Sequence, residues 1–192
     1  MDTKVIGAVG EIGSGKDEVL KYLYSKYGVE YFSTGDIVRQ IAESQGMEPT
    51  RENLGIISER CFNDLAQYGK GCFVRMVAEE IIKRKLKIAG VSGIRSPDDV
   101  RVMQDFFGDG FILIWVGITD RRLRYERILL RHEERDPVSY EEFLKQDDRE
   151  EQVFNISRTG RMARYSLNND GSVQDLHREI DRLVAEKKLL EY

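Results

Sequence analysis

The chain has 192 residues, 41% of them hydrophobic and 33% charged, with a formal net charge of −4. That length allows one sizeable core, and the acidic balance argues against a general nucleic-acid binder. No apolar run approaches the roughly 20 residues of a membrane span, and two cysteines and two histidines make no disulfide framework or metal pattern. One Lys before a short strand-like run, with no small-residue cleavage site, does not read as a secretory signal, so a reduced, cytoplasmic setting is expected.

Lys4 to Val9 is a short apolar run rich in β-branched residues and predicts a strand. Gly10-Glu11-Ile12-Gly13-Ser14-Gly15-Lys16-Asp17 follows it, and Glu18 to Tyr24 then has helical spacing. Gly28 to Ser33 predicts a second strand. Thr34-Gly35-Asp36 opens a helix with Ile37, Val38, Ile41 and Ala42 on one face. After a break at Pro49, Thr50 is a possible N-cap for a helix carrying Leu54, Ile57, Cys61 and Leu65 inward. A further helix covers Phe73 to Lys85, and Leu86 to Gly93 predicts the next strand, weakened by Gly90. Ser96-Pro97-Asp98-Asp99 is a strong helix start. Phe111 to Val116 reads as a strand covered on both faces, so Trp115 is expected in the core. A basic helix runs from Asp120 to about Arg131, and another charged helix from about Glu141 into the 150s. Arg164 to Asn168 predicts the last strand, and Ser172 caps a final helix with Leu176, Ile180, Leu183 and Val184 inward.

Strands alternating with helices imply a single α/β domain over 1–192, with a parallel sheet between helical layers. Residues 34–85 hold helices without a clear strand and predict a helical insertion. Residues 132–150 predict a second, mobile one. There is no internal repeat.

Strand, glycine-rich turn and helix are the context of a phosphate-binding P-loop. Gly10, Gly13 and Gly15 let the backbone curl so that N–H groups, including that of Ser14, point into one concavity. The helix start adds its own free N–H groups and the positive end of its dipole, and Lys16 reaches the outer phosphates. Asp17 stands where this motif usually has a Ser or Thr whose hydroxyl binds Mg²⁺. In a parallel sheet, ligands bind beyond the carboxyl ends of the strands. Those ends carry the P-loop, Ser33 to Arg39, Ser92 to Ser96, Thr119 to Arg122 and Asn168 to Gly171. Arg39 and Arg95 are thereby placed near the cleft, where a guanidinium can grip a phosphate with paired hydrogen bonds. Arg127 and Arg131 share a helix face, suiting either a ligand or a salt-bridged surface. Arg158 and Arg161 are read as exposed charges unless a closing lid uses them.

Ser-Thr-Gly-Asp-Ile-Val-Arg at 33–39 resembles the segment after the second strand of adenylate kinases and other nucleoside-monophosphate kinases. Gly93-Ile94-Arg95 stands where that family has Gly-Phe-Pro-Arg, without the Pro. Gln146-Asp147-Asp148-Arg149 resembles the far side of the family's lid, and Asn169-Asp170-Gly171-Ser172 its turn against the donor base. A Gly-Lys-Asp P-loop also occurs in phage-type deoxynucleoside-monophosphate kinases and animal phosphomevalonate kinases. The nearest pattern is a largely archaeal group of adenylate-kinase-related and dephospho-CoA-kinase-like proteins, which share Gly-Ile-Arg-Ser and Asn-Asp-Gly-Ser.

The resemblance covers nearly the whole chain and implies a three-layer P-loop sandwich with sheet order 2-3-1-4-5. It implies a helical acceptor-binding insertion at 34–85 and a short lid at 132–150. Thr34 and Arg39, with Asp36 between them, would hold an acceptor nucleotide and Arg95 its phosphate. Arg127 and Arg131 would contact the donor and the moving phosphate, and Asn169 and Gly171 the donor base. ATP and Mg²⁺ are the implied cofactors, and a small nucleotide the partner, without nucleic acid or membrane. The family usually has an acid where Ser92 stands, so Asp17 and Ser92 are read as an exchanged pair at the Mg²⁺ site. The expected reaction is γ-phosphoryl transfer from ATP to a nucleotide monophosphate. Dephospho-CoA is an alternative acceptor, with Asp36 as its base. An ATP-binding switch with weak ATPase activity is the alternative from another class.

Overall fold

A computed structural model of the chain describes residues 3–63, 69–131 and 137–191. Five parallel strands form one sheet in the order β2-β3-β1-β4-β5: β1 Lys4–Val9, β2 Tyr31–Ser33, β3 Ile88–Ser92, β4 Phe111–Gly117 and β5 Tyr165–Asn168. The predicted strand order holds. Alternation along the strands divides the core. Ile6 and Ala8 of β1, with Ile112, Ile114 and Val116 of β4, face α1 (Lys16–Tyr27) and α9 (Val173–Lys187). Val5, Val9 and Leu113 face α4 (Cys72–Lys83), α5 (Pro97–Phe107) and the short α8 (Ile156–Gly160). Both faces are covered, which is why β4 is almost continuously apolar.

Helices α2 (Thr34–Ser44), α3 (Arg51–Asn63) and α4 form a side lobe around Val38, Ala42, Ile57 and Cys72. On the other flank, α6 (Arg121–Arg131) and α7 (Tyr140–Phe154) meet the P-loop through Ile12, Ile128 and Phe143. The caps follow the sequence. The Thr50 hydroxyl accepts the Asn53 N–H, and Ser96 and Ser172 form reciprocal capping boxes with Asp99 and Asp175.

Two strand starts and one short helix stand out against the sequence reading. β2 begins at Tyr31 because Gly28 and Val29 still satisfy the carbonyls of Tyr24 and Leu23 at the end of α1. β3 begins at Ile88 because Leu86 N–H still bonds the Ile81 carbonyl of α4. Helix α8 was not predicted, since five residues carry no readable period. Among the described residues no helix is long and apolar enough to cross a membrane.

Candidate active site

The turn between β1 and α1 forms because its glycines take conformations closed to other residues. Gly13 (φ 77°) and Gly15 (φ 87°) are left-handed, and a Cβ on Gly13 would lie 2.7 Å from the Arg124 carbonyl. Gly15 is the N-cap of α1, with no side-chain cap, so the first helical N–H groups stay available to an anion. Lys16 and Asp17 are the first two residues of that helix.

The loop is braced from below. Buried Asn169, just past β5, donates from Nδ2 to the Ser14 carbonyl at 2.9 Å and packs against Gly15. Arg124 of α6, 1% exposed, donates to the Ile12 carbonyl at 3.0 Å. It also makes a two-pronged bond to Asp147 of α7, at 2.6 and 2.7 Å. Burial opposes the Arg124 charge, but the Asp147 bonds prevail and hold its pKa above the ordinary arginine value. Glu11 faces Arg124 Nε at 3.7 Å, and burial pushes its carboxyl up despite that neighbour.

At the carboxyl ends of β3 and β2, Ser92 and Ser33 sit opposite each other in register. The Ser92 hydroxyl donates to Asp17 Oδ1 at 2.6 Å, so the two residues singled out from the sequence are in direct contact. A carboxylate and a hydroxyl are hard oxygen donors suited to Mg²⁺, which takes one or two protein ligands and completes its shell with phosphate and water. No cluster of three or more His, Cys, Asp or Glu side chains that could hold a metal exists among the described residues.

Next along these ends, Thr34 opens α2 in close contact with Gly93, and the Ser33 hydroxyl caps the helix by accepting from Gly35 N–H. Arg39 is ion-paired with Asp36 one turn before it, and both are exposed. Arg95 is about half exposed, 3.8 Å from Glu150, with its guanidinium over the Phe154 ring. Arg127 donates to the Gly171 carbonyl, and partial burial pulls its pKa down. Asp170 accepts from the backbone and hydroxyl of Thr119, which hold its carboxyl below the usual range. Asn169, Asp170 and Gly171 are thus each tied to the loop, to β4's end or to α6.

The side chain of Arg131 and residues 132–136 of the expected lid lie outside the described residues. Residues 140–150, the remainder of that expectation, form most of α7, with Phe143 fully buried. The Arg124–Asp147 bond escaped the sequence reading because Arg124 lies among several other basic residues. Its signal was position: it precedes Ile128 by four residues, on the helix's buried face. Trp115, expected in the core, is only partly buried. The short α8 sets Gly160 against its ring, and a glycine cannot cover an indole.

Residues 9–144 match the family model described as an AAA domain. A UPF0200 protein of Thermococcus onnurineus is 33% identical over 190 residues, covering 98% of this chain and all of the relative. The shikimate kinase of Acinetobacter baumannii, solved with shikimate, superposes with a TM-score of 0.59 at 17% identity, over 97% of this chain and 96% of that one. A sugar kinase of Janibacter sp. HTCC2649 gives 0.57 at 14% identity, over 97% and 95%. The fold is that of P-loop kinases.

Proposed function

Because the chain belongs to the AAA-domain P-loop family and to the UPF0200 proteins, we propose that it is an ATP-dependent phosphotransferase of the nucleoside-monophosphate-kinase type. It moves the γ-phosphoryl group of ATP to a nucleotide monophosphate. One observation carries this reading: Ser92 at the end of β3 bonds Asp17 of the P-loop helix, while the register of β2 with β3 sets Thr34 against Gly93, two residues before Arg95. A site for hydrolysis alone has no need of phosphate-gripping groups on the far side of the γ-phosphate.

In this account the loop N–H groups and Lys16 hold the donor phosphates, and Asn169, Gly171 and Arg127 line the donor base. Thr34 and Arg39 orient the acceptor, Arg95 holds its phosphate, and Arg131 approaches the moving group. Asp17 and Ser92 hold Mg²⁺, which supplies charge neutralisation for the phosphates when bound. The acceptor phosphate oxygen is already a nucleophile, so positioning and electrostatics suffice and no general base is required. Helices within 34–85 form the acceptor pocket, and exclusion of water from the phosphates favours transfer.

Dephospho-CoA instead presents a hydroxyl, which calls for a base. Asp36 is the carboxylate at hand, and its pairing with Arg39 suits it better to orienting a phosphate-bearing acceptor. ATP labelled in the γ-phosphoryl, offered with each nucleotide monophosphate and with dephospho-CoA, tests the reading. Label on a nucleotide monophosphate is expected. Label on dephospho-CoA selects the second acceptor, and label only in inorganic phosphate selects an ATP-driven switch.

A further inference from the structure

A cavity of about 390 Å³ lies on the flank of the sheet formed by β4 and β5, under α8. Its size is within the range of small-molecule sites. Trp115 of β4 lines it, with Ser157 and Gly160 of α8, Arg161 just after that helix, Arg164 just before β5 and Ser166 within β5. Trp115 is level with Val9, the last residue of β1, but its ring joins the cluster of Val9 and Leu113. The helix that begins with Lys16 packs on the opposite face, against Ile6, Ala8 and Ile114. The cavity and the P-loop helix are therefore on opposite sides of the sheet.

The lining is arranged around the indole. A Cβ on Gly160 would fall 2.5 to 2.7 Å from Trp115 Cε3 and Cζ3, and one on Gly117 would fall 2.7 Å from Nε1. The two glycines thus bring backbone against the ring, which stays partly exposed where it lines the cavity. Arg161 and Arg164 are exposed, and among the described residues neither has a carboxylate partner. Arg164 instead lies over the Tyr165 ring, 5.7 Å from its centroid. Several other surface arginines among the described residues are ion-paired, including Arg84, Arg101, Arg121, Arg178 and Arg182. A flat aromatic wall beside two uncompensated guanidinium groups and two hydroxyls complements one ligand class.

We propose that this cavity is a second small-molecule site, which takes a planar organic anion with its ring against Trp115 and its charged group between Arg161 and Arg164. The inference rests on the cavity alone and stands whether or not the chain is a kinase.

Trp115 is the only tryptophan of the chain, so its fluorescence reports on this site directly. The test is a titration of the full-length protein with phenyl phosphate, excited at a wavelength selective for tryptophan, with phenol and inorganic phosphate in parallel. A saturable change is expected with phenyl phosphate, at least tenfold weaker with either comparison compound. The Arg161→Ala/Arg164→Ala double variant should weaken it at least tenfold, and each single variant by less. Lys16→Ala should leave it unchanged. The near-ultraviolet circular dichroism of each variant checks that it is folded. The proposal is overturned if phenyl phosphate gives no saturable change, or if a folded double variant binds as the wild type does. It is overturned equally if phenol or phosphate alone matches phenyl phosphate, or if Lys16→Ala abolishes the signal.

Discussion

The two sides of the candidate site are built differently. On the donor side, the P-loop rests on buried groups: Asn169 beneath Ser14, and Arg124 beneath Ile12 with Asp147 behind it. On the acceptor side, Arg39 and Arg95 are about half exposed and lean on carboxylates of their own surroundings, Asp36 and Glu150. Buried, fully partnered groups resist rearrangement, whereas exposed ion pairs are worth little and exchange readily. The difference teaches that the phosphate-binding loop is shaped before a nucleotide arrives. In the proposed reaction, Arg39 and Arg95 leave these acids to grip the acceptor phosphate.

The largest expected effect falls on the donor side. Lys16→Ala should lower phosphoryl transfer by on the order of 10²–10³-fold, with the circular dichroism spectrum unchanged. Preserved turnover would remove Lys16 from the mechanism. Asp17→Ala should abolish the Mg²⁺ dependence of turnover, and the wild type should show it. A variant that still responds to Mg²⁺ would place the metal elsewhere.

The brace is tested by stability. Asp147→Ala leaves the Arg124 charge buried without its partner and should cost about 3–5 kcal/mol in denaturant unfolding. Arg124→Met/Asp147→Leu should recover much of that loss; a double variant no better than the single would show that the pair itself stabilises the fold. Asn169→Ala leaves the Ser14 carbonyl unsatisfied and should cost about 1–3 kcal/mol. On the acceptor side, Arg39→Ala should change stability by less than about 0.5 kcal/mol while raising the KM for the acceptor. A large stability loss there would erase the contrast between the two sides.

The smallest effect concerns pH. Burial raises the Glu11 carboxyl above its ordinary value of 4.5, so the charged form is disfavoured in the folded state. Stability from this group is fully present below the unfolded value and falls as pH rises through the folded one. Glu11→Gln should therefore raise the melting temperature at pH 7 and leave it unchanged near pH 4. An equal shift at both pH values would assign the gain to something other than the charge.

Much of this architecture was legible in the sequence because local chemistry and global fold agree. The β-branched run, the glycines and the helical spacing after Lys16 all point to one loop. Ser96 with Asp99 and Ser172 with Asp175 mark their helices by short-range signals. The sheet order came from the family resemblance, since composition and periodicity do not order parallel strands. The brace was not legible, because Arg124 and Asp147 are 23 residues apart and each sits in a charged helix. Two linked departures from a family pattern pointed to Asp17 and Ser92 as a pair, but the direct bond between them, across 75 residues, was not legible. The exposed side of Trp115 depends on Gly160 of α8, which is too short to announce itself.

A kinase is set apart from an ATPase by transfer of the phosphoryl group to an acceptor rather than to water. Phosphorus NMR of the protein with ATP, Mg²⁺ and the nucleotide monophosphate selected by the acceptor screen measures both fates in one sample. The account predicts that the γ-phosphate signal declines in step with growth of a new acceptor diphosphate signal, with little inorganic phosphate. Inorganic phosphate appearing at the rate of ATP loss, unchanged when the acceptor is omitted, would contradict it.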